Sequence, residues 1–321
     1  MAAPFIYRFT RDLRLEDHAG LALAGSFGDV LPVLVIDRAL ESRIGRSPRR
    51  AAFYCAAVAA LDAALRERGS QLIVRRGAPG AMLKNIARAT GAGGVAWCAN
   101  YDRTSGISDE HLQSELEEAG LRATIVHDAP AVGPEETAAA RPSGGDGYRA
   151  FAPYFAVWQE LGIASHDAPL LVRFAASDLH SEPLPQPHEF GAPDRPADAS
   201  PASAQRTLDR FLEGPACHYA LALNAPAEDG TSHLSAHLSF GTLSARTVVR
   251  NTRRRLDDPF LLSEERFSLR LFLRSMATRD FFLQLGFFYA NADAEPLQER
   301  MRRFSFAREH EALEAWRSGR T

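Results

Sequence analysis

The sequence predicts an α/β domain followed by an all-helical domain, and three observations lead to this prediction. Residues 1–128 alternate short apolar, β-branched runs with helical patterns, as expected for a parallel sheet covered by helices. Residues 180–203 contain six prolines and few apolar side chains, which is typical of an extended connector. From residue 204 onward apolar residues recur at helical spacing. We therefore expect a doubly wound, Rossmann-like parallel sheet and then helices.

Five strands are predicted in the first part, over residues 5–9, 30–36, 72–75, 95–98 and 123–126. Between the second and third strands, Ser47 and Pro48 form an N-cap and first-turn pair, and Gly69 follows the end of the same apolar helix. The first strand runs directly into residues 10–14, Thr-Arg-Asp-Leu-Arg, with no G-x-G-x-x-G sequence. A dinucleotide site of the usual Rossmann kind is therefore disfavoured.

The rest of the chain divides into a connector and a helical domain. An aromatic segment, residues 148–155, leads into Trp158 and predicts a packed helix. In the segment 267–288, Leu269, Phe272, Leu273 and Met276 define one buried helical face. We expect the domains to span residues 1–128 and 204–321, with residues 129–203 as the interdomain connector.

Composition excludes several classes of protein. The chain has 321 residues, with 45% hydrophobic and 24% charged residues, which suits a globular protein of about two domains. Its three cysteines lie far apart, and its histidines show no H-E-x-x-H spacing, so no disulfide framework and no metal site are predicted. No run approaches the ~20 apolar residues that cross a membrane. We expect a cytoplasmic location and no membrane partner.

A stretch rich in hydroxyl groups, residues 230–244, is the sharpest local signal for a ligand. Hydroxyls beside a helix N-terminus, where free amides and the helix dipole favour negative charge, suit a phosphate group. The alternative is that Thr231 and Ser244 only cap helices.

Several segments, taken in order, resemble the photolyase/cryptochrome family of light-driven flavoproteins. Residues 9–17 resemble the opening strand and loop of the family, and residues 148–158 its interdomain segment. Tyr219, the Thr-Ser-His-Leu-Ser of residues 231–235 and the Phe-Gly of residues 240–241 resemble its flavin phosphate-binding stretch. Residues 279–282, Arg-Asp-Phe-Phe, match its W-R-[DE]-F element, and residues 316–321 the start of its next flavin-binding motif.

The resemblance implies FAD in the helical domain and an antenna chromophore, a folate or a deazaflavin, on the α/β domain. It also implies light-driven electron transfer from the reduced flavin to pyrimidine dimers in damaged DNA, and it names no catalytic side chain. Tyr101 and Asp102 fall near a family position that contacts the folate. The residues implied to contact FAD are Tyr219, Thr231, Ser232, His233, Leu234, Ser235 and Phe272, and those implied to contact DNA are Ser275, Thr278 and Arg279.

The sequence also departs from the family pattern. His233 stands in place of an arginine, and Phe272 in place of a tryptophan that contacts the flavin, so a weaker affinity for FAD is expected. Ser275 replaces a glutamate and Thr278 a tryptophan that stacks on the lesion, so repair is expected to be impaired. Phe306 replaces the outermost tryptophan of the electron-transfer chain.

The sequence ends at Thr321, where the family continues with further helices. We therefore expect a helical domain that is incomplete, with some phenylalanines of residues 267–288 exposed.

Two alternatives to a photolyase-like flavoprotein remain open. The first is a non-enzymatic, truncated or divergent family member whose α/β domain binds a nucleotide-like ligand or a partner. The second is an adenine-nucleotide-binding α/β module unrelated to light. Separately, five arginines between residues 246 and 255 are predicted either to contact DNA phosphates or to form a solvated helix face.

Overall fold

The computed structural model describes residues 3–101, 103–142, 144–163, 172–193, 197–289, 294–304 and 309–320. Asp102, Phe306 and Thr321, which the sequence analysis named, lie outside these ranges, as does Pro196 of the proline-rich segment. Among the described residues, no helix has the length and apolar content needed to cross a membrane.

The N-terminal part is a five-stranded parallel sheet, as predicted, with strand order β3-β2-β1-β4-β5. Four boundaries differ from the prediction by one residue, since the third strand spans residues 73–76, the fourth begins at Gly94 and the fifth begins at Arg122. The strands are β1 (Phe5–Phe9), β2 (Val30–Ile36), β3 (Ile73–Arg76), β4 (Gly94–Cys98) and β5 (Arg122–Val126). Because the strand order reverses between β1 and β4, their carboxyl ends border the crevice where such sheets bind ligands.

Helices cover both faces of this sheet, which makes it doubly wound. One apolar layer includes Tyr7, Leu34, Val58 and Leu61, and the other includes Ile6, Trp97 and Leu116. The helices are α1 (Ala19–Phe27), α2 (Arg38–Ile44), α3 (Pro48–Arg66), α4 (Pro79–Thr90) and α5 (Arg103–Glu118). The predicted Ser47–Pro48 start of α3 is confirmed, because Ser47 is extended and Pro48 occupies the first turn.

The connector contains α6 (Pro134–Ala139) and α7 (Phe151–Glu160), and the predicted aromatic helix is confirmed in α7, where Tyr154 and Trp158 are buried. The connector before and at the start of the proline-rich segment is hydrogen-bonded to the sheet. The backbone of Val30 accepts a hydrogen bond from Ala175 and donates one to Arg173, both at 2.8 Å. Farther along, the amide of Val74 donates to Ser181 Oγ at 2.9 Å. This part of the connector is therefore attached to β2 and β3 and does more than link two parts of the chain.

The part after residue 200 is helical in its described residues. Its long helix buries Leu269, Phe272 and Met276, as predicted, whereas Leu273, the fourth residue of the predicted face, is only partly buried. Phe267 and Phe282 are 61% and 64% exposed, whereas Phe281 is buried, so the expected exposure of aromatic residues applies to only some of them. The helices are α8 (Pro201–Glu213), α9 (Tyr219–Ala222), α10 (Ser235–Phe240), α11 (Ala245–Leu256), α12 (Ser263–Phe288), α13 (Glu299–Arg302) and α14 (His310–Arg317).

Candidate functional site

A cavity of about 450 Å³ lies between the carboxyl edge of the sheet and the helical part, and we call it the interdomain cavity. The sheet contributes residues that follow β1, β4 and β5, and the helical part contributes residues of α9, α10 and α12 and the loops beside them. The lining includes Thr10, Arg11, Asp12, Cys98, Asn100, Tyr101, Asp128, Tyr219, Ser232, Ser235, Phe272, Ser275, Met276 and Arg279. The cavity therefore lies at the position where this type of sheet binds ligands.

Four of the seven residues predicted to contact FAD line this cavity: Tyr219, Ser232, Ser235 and Phe272. The rings of Tyr219 and Phe272 are 5.4 Å apart and nearly perpendicular. Tyr219 Oη lies 3.2 Å from Ser275 Oγ. These side chains form an aromatic wall that carries a pair of hydrogen-bonded hydroxyls, and Ser235 adds an exposed hydroxyl at the start of α10.

The other three, Thr231, His233 and Leu234, do not line the interdomain cavity. Thr231 is exposed, while Leu234 is fully buried in the helical core. The His233 side chain is 63% exposed, and its Nε2 lies 2.5 Å from Asp229 Oδ1. The φ of His233 is 53°, a left-handed conformation in which the chain turns before α10. The turn brings the two serines to the cavity and leaves His233 paired with Asp229.

Of the residues predicted to contact DNA, Ser275 and Arg279 line the cavity and Thr278 does not. Thr278 Oγ1 donates to the Arg274 carbonyl at 2.8 Å, within α12. Arg279 donates to the Ala129 carbonyl at 2.9 Å and lies 3.2 Å from Asp280 Oδ1. Its guanidinium is therefore held at the cavity by the connector.

Asp280, next to Arg279, fixes α12 against the connector. Its Oδ2 accepts from the amides of Ala131 and Val132, at 2.9 and 3.2 Å, and from Trp158 Nε1 at 3.1 Å. Burial raises the pKa of Asp280, although Arg279 and these donors oppose the shift. The acidic residue of the Arg-Asp-Phe-Phe segment therefore has a structural role.

Beneath the cavity, a buried ionic cluster joins the sheet to α11. Asp128 Oδ2 lies 2.5 Å from Arg14 Nη2, and Asp128 Oδ1 lies 2.6 Å from Arg246 Nη2. Burial opposes the ionisation of Asp128, but Arg14, His18 and Arg246 hold its pKa well below the usual range. Arg246 also lies 3.2 Å from Asp17 Oδ1.

A second set of buried groups extends this cluster into the sheet. Tyr7 Oη donates to Asp12 Oδ2 at 2.5 Å, and His18 Nε2 lies 3.1 Å from the same oxygen. Because His18 Nδ1 accepts from the Leu21 amide at the start of α1, the ring proton is assigned to Nε2, which faces Asp12. The charged residues after β1 are therefore interface groups and not members of a solvated loop.

Sequence reasoning missed this ionic cluster. The arginines of residues 246–255 were predicted either to contact DNA phosphates or to form a solvated helix face. Arg246 does neither, since it is 3% exposed and paired with two carboxylates. Arg250 also reaches Asp17, at 3.2 Å. The available signal was a row of charged residues placed directly after a buried strand, at the ligand-binding edge of the sheet.

Gly241, in the Phe-Gly pair that resembles the family motif, lies where the two parts approach each other closely. Its φ is 66°, and a Cβ at this position would lie 2.3 Å from the Arg11 carbonyl oxygen. Nearby, the Leu13 amide donates to the Phe240 carbonyl at 3.0 Å. A glycine is required here both by the backbone conformation and by the space.

A second cavity, of about 1000 Å³, lies wholly in the α/β part, and we call it the α/β cavity. It is bordered by the carboxyl ends of β1 and β2 and by α2, α4 and α5, and Arg8, Arg43 and Arg46 are among its lining residues. Tyr101, which the resemblance places near a folate, does not line the α/β cavity. It lines the interdomain cavity instead, and its Oη lies within hydrogen-bond distance of His127 Nδ1, at 2.8 Å. Within the described ranges, no cluster of three or more His, Cys, Asp or Glu residues could hold a metal ion.

The fold and its cavities define a class of protein in which an α/β sheet and a helical part share one candidate site. Residues 5–174 match the family model for DNA photolyase. A deoxyribodipyrimidine photo-lyase from Halobacterium salinarum is 32% identical over 330 aligned positions, which cover 97% of this chain and 67% of that protein. The chain therefore belongs to the DNA photolyase family.

Solved structures have the same fold. A cryptochrome from Synechocystis superposes with a TM-score of 0.80 at 21% identity, over 99% of this chain and 69% of that one. An archaeal photolyase from Sulfolobus tokodaii, described with two FAD molecules, has a TM-score of 0.76 at 23% identity, over 99% of this chain and 67% of that one. The chain thus spans about two thirds of the length of these relatives.

Proposed function

We propose that this chain is a photolyase-like flavoprotein that binds FAD in the interdomain cavity. The observation that carries the proposal is the convergence, in one cavity, of Tyr219, Ser232, Ser235 and Phe272. The family resemblance identifies the same four residues from the sequence alone. The sheet adds donors from Arg11 and Asn100 at the opposite wall.

The chemistry of the lining suits a dinucleotide. The hydroxyls of Ser232 and Ser235, together with the guanidinium of Arg279, match the acceptor oxygens of a diphosphate. The carboxylates of Asp12 and Asp128 also border the cavity, but both accept hydrogen bonds from buried partners and so add little repulsion. The faces of Phe272 and Met276 provide apolar area for a planar ring.

Bound FAD, once reduced, supplies an electron on excitation by light, and the proposed acceptor is a pyrimidine dimer in DNA. At the cavity wall, the Ser275 hydroxyl donates to the Leu271 carbonyl or pairs with Tyr219, so it offers a substrate no negative charge. Thr278 offers no aromatic face on which a base would stack. We therefore expect little light-driven repair by this chain, even when it has bound FAD.

The location of FAD is tested by adding one negative charge to the cavity. Ser235 and Ser263 are both exposed serines at the first residue of a helix, but only Ser235 borders the cavity. We expect Ser235→Glu to weaken FAD binding at least tenfold, because the added carboxylate repels the diphosphate, and Ser263→Glu to leave it unchanged. The measurement is a titration followed by flavin fluorescence. Equal affinities for the two variants would place FAD elsewhere.

A further inference from the structure

Tyr101 and His127 form a hydrogen-bonded pair at the carboxyl edge of the sheet. Tyr101 lies in the loop after β4, and His127 directly follows β5, the parallel neighbour of β4. Because neighbouring parallel strands end at the same edge, their following residues meet there. Tyr101 Oη lies 2.8 Å from His127 Nδ1. The FAD contacts proposed above make no use of this pair.

The pair is held between the interdomain cavity and α12. Tyr101 is 7% exposed and lines the cavity, whereas His127 is not among the lining residues. The ring of His127 packs edge-on against Phe287 of α12, with ring centres 4.8 Å apart. At Gly286, α12 approaches so closely that a Cβ there would overlap the Tyr101 carbonyl oxygen. The phenol is therefore fixed at the cavity wall, with the imidazole outside the lining.

The surroundings keep both members of the pair uncharged. Burial, followed by the nearby Cys98 and Asp128, raises the pKa of Tyr101 well above its usual value, so the phenol keeps its proton at neutral pH. Burial lowers the pKa of His127, although Glu135 opposes the shift, so the imidazole is neutral there. A neutral imidazole has one nitrogen with a free lone pair. We assign that nitrogen to Nδ1, which then accepts from the phenol.

We propose that Tyr101 is the electron donor that reduces light-excited, oxidised FAD in the interdomain cavity, and that His127 accepts the phenol proton. This inference rests on the proposed function, which requires a reduced flavin. One electron leaves the phenol for the flavin, and the O–H bond breaks as its proton moves to His127 Nδ1. A neutral phenoxyl radical and an imidazolium remain. A thiol from solution returns a hydrogen atom to the phenoxyl oxygen, and the imidazolium releases its proton to water. Two such cycles supply two electrons and convert two thiols to one disulfide.

The adjacent base distinguishes Tyr101 from Tyr219, which lines the same cavity. A phenol that loses an electron becomes a strong acid, so a base within hydrogen-bond reach takes the proton and hinders return of the electron. His127 Nδ1 lies within that reach of Tyr101. The hydroxyl of Tyr219 lies 3.2 Å from Ser275 Oγ, and a serine hydroxyl accepts no proton at neutral pH. Proton transfer therefore favours Tyr101 as the donor.

The proton acceptor is tested before any FAD is added. Nitrogen NMR of the histidine-labelled full chain at neutral pH reports which ring nitrogen of His127 carries the proton, and a His127→Gln sample assigns its signals. We expect the proton on Nε2 and a free Nδ1 that accepts from Tyr101. A proton on Nδ1 would mean that the imidazole donates to the phenol. The phenol would then have no base in this pair, and the proposal would be overturned.

The electron step is tested with FAD bound. The chain is illuminated without oxygen in dithiothreitol, and loss of the visible absorption of oxidised flavin is measured per bound flavin. We expect Tyr101→Phe and His127→Gln each to slow this reduction at least about tenfold. The control is Tyr289→Phe, because Tyr289 donates to the Asp146 carbonyl outside the cavity lining, and it should keep the wild-type rate. Since His127 does not line the cavity, its variant tests proton transfer without altering the proposed FAD contacts.

Electron paramagnetic resonance identifies the radical directly. Illumination of the FAD-loaded chain at low temperature should give a phenoxyl signal that narrows when ring-deuterated tyrosine is incorporated. The signal should be absent from Tyr101→Phe and present in Tyr289→Phe. A Tyr101→Phe chain that retains FAD and is reduced at the wild-type rate overturns this inference alone. A folded wild-type chain that retains no FAD overturns the proposed function, and this inference with it.

Discussion

Arg246 joins two carboxylates that come from distant points of the α/β sequence. It lies 3.2 Å from Asp17 Oδ1 and 2.6 Å from Asp128 Oδ1, and all three side chains are almost completely buried. Since Asp128 also pairs with Arg14, one residue of α11 completes a cluster that otherwise belongs to the sheet. A single charged side chain of the helical part, Arg246, therefore links α11 to the α/β part through two buried ion pairs.

Arg246→Met is expected to destabilise the chain by about 3–5 kcal/mol, because it leaves buried carboxylates without a partner. The check is urea unfolding, with Arg254→Gln as the control, since Arg254 is an exposed arginine of the same helix. A loss below about 1 kcal/mol would mean that the remaining arginines compensate for Arg246.

The same cluster predicts how stability depends on pH. The folded-state pKa of Asp128 is lowered below the unfolded value of about 3.9, so ionised Asp128 favours folding. Its contribution is therefore complete above about pH 5 and is lost as the pH falls below about 4. Urea unfolding between about pH 5 and about pH 3 should show a smaller pH slope for Asp128→Asn than for the wild type. The exposed variant Asp209→Asn should keep the wild-type slope, and an unchanged slope in Asp128→Asn would contradict this assignment.

His233→Arg tests whether the position matters for FAD as the resemblance implies. The side chain at this position is exposed and faces Asp229, outside the cavity lining. We therefore expect the arginine to change the affinity for FAD less than about twofold, and we expect no rescue of light-driven repair, because Ser275 and Thr278 are unchanged. Fluorescence titration measures the first quantity, and an illuminated assay with dimer-containing DNA the second. Repair by this single variant would refute the expectation.

At the scale of elements, α12 organises the helical part and holds the connector. Asp280 binds the connector through two amides and Trp158, and Gln284 both donates to and accepts from the backbone of Tyr148, at 2.7 and 2.9 Å. The same helix presents Phe272, Ser275 and Arg279 to the interdomain cavity. The site wall and the connector are therefore fixed by one element.

Asp280→Leu should lower the free energy of unfolding by about 2 kcal/mol or more, because buried donors at Ala131, Val132 and Trp158 lose their acceptor. Asp280→Asn keeps an acceptor oxygen and should cost less. Hydrogen exchange at residues 131 and 132 provides a local measurement, and it should accelerate in the leucine variant. Equal exchange in the two variants would show that the connector is held by other contacts.

At the scale of the whole molecule, the sequence was informative where structure depends on local pattern. The five strands and the start of α3 were predictable because apolar runs, a cap and a proline report nearby geometry. The ionic cluster was not predictable, because its partners are separated by as many as 233 positions, as for Asp17 and Arg250.

In the stretch that the resemblance assigns to FAD, the sequence predicts the position of some side chains correctly and of others incorrectly. Ser232 and Ser235 line the interdomain cavity, whereas His233 and Leu234 do not. A motif gives residue identities, but the left-handed turn at His233 decides which side chains reach the cavity. Leu234, the residue after that turn, is fully buried in the helical core, a contact that the motif by itself does not show.

The most direct test of the central claim is the flavin content of the chain after incubation with excess FAD and desalting. We predict close to one flavin per folded chain by visible absorption, and loss of most of it in the Ser235→Glu variant. A folded chain that retains no flavin would contradict the claim that the interdomain cavity is an FAD site.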